Sequence, residues 1–201
     1  MIANSNSASG NRCLRFCTLL TITLALAAVH DDTAARRQKT KHTVEATDLA
    51  KRIHALINKE RKRHRLSGLT WNDGLVRIAE KHSRDMDGRS YLDHSSPEGN
   101  GFPERYRQAG YTCEIQVGNV IYTGAENIAL SHLYNSTVIE DGVPYYNWNS
   151  PQEIALRTVN GWMNSPGHRK NILAPHWRQE GIGVKIENSP GNKVYITQNF
   201  C

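Results

Sequence analysis

The chain has 201 residues, a formal net charge of +6 and 38% hydrophobic residues. That length suits one domain with a single core. Much of the basic excess lies in residues 36–41 and 59–65, without interleaved aromatic residues or a groove-reading motif. We therefore expect no nucleic-acid partner.

The N-terminal residues predict export. Arg12 and Arg15 precede an uncharged run from Phe16 to Val29. This run is shorter than the ~20 residues that a membrane helix needs, which is typical of a signal peptide. We interpret residues 1–28 as a signal peptide, with an uncleaved N-terminal anchor as the alternative. Residues 29–46 are polar and basic, which predicts a flexible spacer. The mature chain should then be secreted or extracytoplasmic, without a membrane span.

The cysteines divide between the predicted leader and the predicted domain. Cys13 and Cys17 fall in the leader, which leaves Cys113 and Cys201 as an even pair in an oxidising compartment. A disulfide that closed this long loop would stabilise the fold by about 4 kcal/mol in the chain-entropy model. The alternative is two separate thiols.

Four helices are predicted from apolar spacing and capping residues. A first helix follows residue 47 and ends before Gly68, and a second runs from the cap Asn72 to Gly88. A short helix opens at Pro103. A fourth begins at residues 150–153, where Ser, Pro and Glu occupy capping positions.

The strands are predicted mainly after the helices. Residues 181–187 and 193–200 alternate apolar and polar side chains, which indicates an antiparallel pair. Residues 120–122 are also β-like. The span 131–149 has few apolar anchors, so we expect a long surface insertion, in which Asn135 fits a glycosylation acceptor. Helices followed by antiparallel strands predict an α+β layered domain.

Three separate polar segments carry residues suited to chemistry. They are 93–97, 124–129 and 162–173, and they contribute His94, Glu126 and His168 respectively. Two histidines and a carboxylate from distant segments favour a divalent-metal site or an acid/base cleft. The alternative is that both imidazoles brace loop corners by bonding to backbone carbonyls.

These segments also occur in the order found in a known family. The segments that match are LIN (56–58), LTWNDGL (69–75), HSSPEG (94–99), AENIA (125–129), WMNSPGHRKNIL (162–173), GIGV (181–184) and YITQNF (195–200). Together they resemble the CAP superfamily, which includes cysteine-rich secretory proteins, insect venom antigen 5 and plant pathogenesis-related proteins. The similarity is to its prokaryotic secreted branch, with the SCP-like extracellular domain, and covers residues 47–201.

The resemblance implies an α-β-α sandwich with a small, mainly antiparallel sheet between helices. It also implies a cleft lined by a His-Glu-Glu-His tetrad, of which His94, Glu126 and His168 match three positions. Ser165 stands where animal and plant members have the second Glu, which puts a pair of catalytic carboxylates in doubt. The final strand borders the cleft in the family, which makes Gln198 a further candidate.

Two functions that use the cleft are compatible with these residues, and a third possibility is an extracellular interaction or cell-wall-associated protein in which the cleft is vestigial. The first is a binding or interaction module for an unknown extracellular ligand, a lipid or sterol by resemblance, with His94 and His168 able to bind Zn²⁺. Two imidazoles make a weak site, so zinc should not be obligatory for folding. The alternative is a zinc-assisted hydrolase in which Glu126 activates water as the catalytic base.

Overall fold

A computed structural model describes residues 40–187 and 191–201. The predicted signal peptide (1–28) and most of the predicted spacer (29–46) lie outside the described residues. Within the described ranges, none of the helices combines the length and the apolar character that crossing a membrane requires.

The described chain forms five helices and eight strands. The helices are α1 (Ala46–Arg63), α2 (Asp73–Gly88), α3 (Phe102–Gln108), α4 (Pro151–Asn164) and α5 (Pro166–Leu173). The strands are β1 (Thr70–Trp71), β2 (Ile115–Val117), β3 (Val120–Tyr122), β4 (Ala125–His132), β5 (Tyr134–Glu140), β6 (Val143–Trp148), β7 (Gln179–Ile186) and β8 (Lys193–Phe200).

Two of the predicted helix starts are formed by their capping side chains. The side chain of Asn72 accepts a hydrogen bond from the backbone N–H of Leu75 at the start of α2. At the start of α4, Ser150 and Glu153 form a reciprocal capping box. Each cap satisfies backbone donors that the first turn of a helix leaves free.

The main sheet has four strands in the order β1-β7-β8-β4. β1 pairs with β7 in parallel, and the other two pairings are antiparallel. Along β7 and β8, Ile182 and Ile196 join the core that α1, α4 and α5 form on one face. The opposite face packs against α2. The α-β-α sandwich with a mainly antiparallel sheet is thus confirmed.

Two glycines bring α2 unusually close to the sheet. A Cβ on Gly181 would lie 2.3 Å from the backbone nitrogen of Val76, and one on Gly183 would lie 2.0 Å from that of Glu80. No side chain fits at such distances, so the backbone of α2 rests directly on β7. This contact fixes α2 over the end of the sheet where the site lies.

The predicted surface insertion at 131–149 is instead largely a β-hairpin. β5 and β6 pair antiparallel, and Tyr134 lies opposite Trp148. Tyr134, Tyr146 and Trp148 contact one another through their rings and pack on the main core. The expectation of few anchors was wrong because these aromatic side chains supply the anchors. Asn135 is exposed on this hairpin.

Cys113 and Cys201 form a disulfide, with Cα atoms 5.6 Å apart. The predicted pairing is therefore confirmed. The bond ties the segment before β2 to the residue after β8, and Cys113 packs with Leu75, Ile78 and Tyr106 in a second, smaller cluster.

Candidate functional site

The candidate site lies on β4, the edge strand of the main sheet. Successive side chains of a strand point to opposite faces. Glu126 accordingly faces α2 and α3, whereas Asn127 faces α5. The site therefore straddles the sheet edge, with His94 approaching from the loop after α2 and His168 from the first turn of α5.

Glu126 is the buried centre of the cluster, with its side chain 1% exposed. Its Oε2 accepts a hydrogen bond from Arg105 Nη2 at 2.6 Å, and its Oε1 accepts one from His94 Nδ1 at 3.0 Å. Arg105 also donates to the backbone carbonyls of Asn100 and His94. One guanidinium thus neutralises the carboxylate and holds the loop that carries His94.

His82 lies beside Glu126 and His94 but forms no hydrogen bond with either side chain. Its Nε2 donates to the backbone carbonyl of Asp93 at 3.0 Å and lies 3.9 Å from Glu126 Oε1. Burial lowers the pKa of His82 below its usual value, against the attraction of Glu126. His82 is therefore a core residue that fixes the start of the His94 loop.

The two site histidines have opposite electrostatic environments. The hydrogen bond to Glu126 raises the pKa of His94, whose side chain is 51% exposed. Burial, followed by repulsion from His94, lowers the pKa of His168. His94 thus keeps its proton to a higher pH than His168 does. Among the described residues, neither His94 Nε2 nor the ring of His168 makes a hydrogen bond.

The imidazoles fit a zinc ion only loosely. Their ring centres lie 6.4 Å apart and their planes are inclined by 44°. Two imidazoles on one tetrahedral zinc would place their ring centres about 5.3 Å apart, given Zn–N bonds of about 2.0–2.1 Å. Of the described residues, no three His, Cys, Asp or Glu side chains are placed to share a metal ion. The donor set suits an open two-histidine site that must close by about 1 Å.

The other face of β4 holds a buried amide chain. Asn127 Nδ2 donates to Gln198 Oε1 at 2.9 Å, and Asn127 Oδ1 accepts from Asn171 Nδ2 at 2.9 Å. Gln198 in turn donates to the buried carboxylate of Glu180, which also bonds His54. Gln198 is fully buried, so it supports the strand from within the sheet and does not line the solvent-facing cleft.

Ser165 and His168 share a groove that excludes Glu126. This groove has a volume of about 320 Å³ and runs between β4 and α4, with Trp162 and Thr158 on its wall. The indole N–H of Trp162 donates to the backbone carbonyl of Ile128, which holds α4 against β4. Ser165 makes no capping hydrogen bond with its side chain and lies at the junction of α4 and α5.

The structure thus brings His94 and Glu126 into contact, with His168 close by, and adds residues that sequence reasoning missed. Arg105 is the main omission, because a buried cation contradicts the usual rule that charged side chains stay exposed. The signal was its position beside Tyr106, since these two residues form the buried side of one short helix. Asn171 belongs to the segment 162–173, but its sequence position alone did not predict its contact with Asn127.

Comparison with known proteins places this geometry in a family. The sequence model described as "Cysteine-rich secretory protein family" (CAP) matches residues 54–200. The uncharacterized protein YkwD of Bacillus subtilis is 28% identical over 178 residues, which are 85% of this chain and 58% of that protein. The uncharacterized membrane protein YlbC of the same organism is 28% identical over 155 residues, covering 77% of this chain and 34% of YlbC.

Solved structures agree with this assignment. An extracellular protein containing an SCP domain, from Bacillus anthracis, has a TM-score of 0.54 at 26% identity, covering 77% of this chain and 40% of that chain. An outer surface protein of Borrelia burgdorferi shares the fold, with a TM-score of 0.54 at 19% identity, covering 80% of this chain and 97% of that chain. The chain spans 58% or less of its two curated relatives. Since the family model covers most of the sequence, the chain belongs to the cysteine-rich secretory protein (CAP) family.

Proposed function

We propose that this protein is an extracytoplasmic binding module whose ligand contacts His94 and His168 at the edge of β4. The observation that carries this proposal is that Glu126 is engaged at both oxygens, whereas the outward ring nitrogens of the two histidines are not. Buried, paired groups maintain a shape, and partly exposed polar groups without protein partners are available for recognition.

The same observation argues against the hydrolase alternative. A catalytic base must lie within hydrogen-bond reach of the proton that it takes, directly or through one water molecule. Glu126 is instead 1% exposed and bonded to Arg105 and His94. Because the position of the second family carboxylate is occupied by Ser165, no other carboxylate of the motif replaces it.

Zinc remains part of the proposal as a weak ligand of the cleft. His94 would bind through Nε2, because its Nδ1 bonds Glu126, and such a carboxylate contact orients the ring toward a metal. His168 would supply the second nitrogen. When bound, the ion would offer a coordination position to an anionic or carbonyl group of the ligand.

The ligand itself would extend into the groove beside His168. Its volume of about 320 Å³ and the apolar side chains on part of its wall, such as Ile128 and Trp162, suit part of a lipid or sterol. The names of two structural relatives, an extracellular protein and an outer surface protein, support action outside the cytoplasm. The predicted signal peptide agrees with that location.

Calorimetric titration of the full chain with ZnCl₂ tests the proposal. We expect weak binding that His94→Ala or His168→Ala abolishes, while His64→Ala, at an exposed histidine after α1, leaves it unchanged. Ester and peptide substrates assayed in parallel should show no zinc-dependent hydrolysis. Zinc binding that persists when both His94 and His168 are replaced by alanine would refute the cleft as the zinc site. Hydrolysis that Glu126→Gln abolishes would show that the protein is an enzyme instead.

A further inference from the structure

A second concave surface lies between α2 and α3, on the side of the molecule away from α4. It consists of two adjoining cavities of about 390 and 360 Å³, which share Lys81, Arg105 and Gln108 as lining residues. We call it the α2–α3 groove and define its larger part by those three residues together with Arg77 and Tyr111. Neither His94 nor His168 lines either cavity.

The rim of the larger cavity carries two cationic side chains that form no ion pair with the described residues. Arg77 and Lys81 are four residues apart on α2, so they lie on one side of that helix, and both are exposed. Within the described part of the chain, neither makes an ion pair, whereas Arg84 pairs with Glu80. Of the described residues that line the larger cavity, none is an aspartate or glutamate.

Acidic side chains nearby do not change this balance. Asp85, one turn after Lys81, is already bonded to Arg89 and to the hydroxyl of Tyr91. Asp73, one turn before Arg77, accepts a hydrogen bond from the indole of Trp71. Asp85 is paired with a cation, whereas Asp73 keeps its negative charge. Arg77 and Lys81 together outnumber that one charge, so the local field in the larger cavity remains positive.

The floor of the groove is apolar, apart from one buried cation. Ile78 and the ring of Tyr111 line it, and Gly74 leaves the ring uncovered, since a Cβ there would lie 3.2 Å from Tyr111. Arg105 is 9% exposed, and its Nε has no hydrogen-bond partner among the described residues. A buried donor without an acceptor is costly, so a polar atom of a ligand that reaches the floor of the groove would gain a hydrogen-bond donor there.

We propose that the α2–α3 groove binds a small organic anion. Its carboxylate or phosphate group lies between Arg77 and Lys81, and its aromatic or aliphatic body lies on Ile78 and Tyr111. The volume fits a compact metabolite-sized ligand, and the paired cations with an apolar floor select an amphiphilic anion over a bare inorganic ion. This site is separate from the histidine cleft, and Arg105 is the residue between the two.

NMR titration of the full chain tests the proposal with four probes: phenyl phosphate, benzoate, inorganic phosphate and the neutral analogue benzyl alcohol. We expect phenyl phosphate or benzoate to shift the amide resonances of Gly74 and Gly110, with weak affinity that falls as salt rises. Inorganic phosphate should bind more weakly because it lacks the apolar body, and benzyl alcohol because it lacks the charge.

A matched pair of double variants distinguishes binding at this site from a general effect of the protein's positive charge. Arg77→Gln with Lys81→Gln should weaken binding about tenfold, as expected when two modest charge contacts are lost. Lys59→Gln with Lys62→Gln removes the same charge from exposed positions of α1 and should change the affinity less than about twofold. Equal loss in both double variants would overturn the proposal, as would equal binding of benzyl alcohol. Binding only to anionic phospholipid vesicles would make the groove a membrane contact and refute the small-ligand site.

Discussion

The guanidinium of Arg105 lies 2.6 Å from the carboxylate of Glu126, and both side chains are more than nine-tenths buried. Desolvating two charges is expensive, and their attraction offsets this cost only while both are present. The pair therefore contributes less to net stability than its geometry suggests, yet each partner depends strongly on the other. Because Arg105 also bonds the backbone carbonyl of His94, it links the strand that carries Glu126 to the loop that carries His94.

Arg105→Met should destabilise the protein by about 3–5 kcal/mol, because it leaves the Glu126 charge buried without its cation. Glu126→Gln should destabilise for the converse reason. Urea unfolding monitored by tryptophan fluorescence measures both. The double variant should lose less than the sum of the two single variants, since it buries no unpaired charge. Additive losses would show that the two side chains act independently.

The two cleft histidines should titrate on opposite sides of the usual histidine pKa of about 6.5. The hydrogen bond to Glu126 raises the pKa of His94, and burial lowers that of His168. NMR titration of the ring protons in metal-free protein measures both. In Glu126→Gln, the pKa of His94 should fall, whereas that of His168 should change little. Titration of both rings at the same pH would contradict this electrostatic account.

These shifts also give the sign of the pH dependence of stability. The ion pair of His94 with Glu126 stabilises the fold below the unfolded histidine pKa, and this contribution is lost as pH rises through the raised folded value. Burial of His82 and His168 acts in the other direction, because their lowered pKa values cost stability as pH falls below about 6.5. His82→Phe should therefore reduce acid sensitivity between about pH 6.5 and pH 5, measured by thermal melts.

Gly183→Ala should be among the most destabilising single substitutions in the chain. The new methyl group would meet the backbone of α2 at Glu80, and neither element can move without opening the core. Gly161→Ala is the matched control, because a Cβ at this position in α4 meets nothing within 4 Å. Alanine there should stabilise by about 0.5–1 kcal/mol through helix propensity. Similar melting temperatures for both variants would refute the close contact.

Reduction of the Cys113–Cys201 disulfide should lower the free energy of unfolding by about 4 kcal/mol without abolishing the fold. The bond closes a loop with a sequence separation of 88 residues, so its main effect falls on the unfolded chain. Chemical denaturation of Cys113→Ser with Cys201→Ser, compared with the oxidised protein, provides the measurement. An unchanged unfolding midpoint would contradict it.

The sequence predicted the elements whose signals are local. The caps at Asn72 and Ser150 depend on side chains within three residues, and both are formed as expected. The β5–β6 hairpin was missed because the rings that anchor it, such as Tyr134 and Trp148, meet only across strands.

The site was only partly predictable, because its motifs are local in sequence whereas its contacts are not. The family motifs identify His94, Glu126 and His168, but they do not state which of them touch. The role of Arg105 depends on a contact between residues 21 positions apart and on a buried charge, which burial rules read from sequence count as improbable. The burial of Gln198 likewise follows from its partners on two neighbouring strands, which only the folded sheet reveals.

The position of β8 has a consequence for the order of folding. β8 follows every other described strand of the main sheet in the sequence, yet it lies between β7 and β4. Among residues 40–187 and 191–201, it is the strand that pairs with β4. Pairing of β4 therefore depends on β8, and this pairing helps to place Glu126 against Arg105. Such long-range pairing is slow because distant segments must meet first. We therefore expect the histidine cleft to assemble late in folding, so that an intact cleft indicates that β4, β7 and β8 have paired.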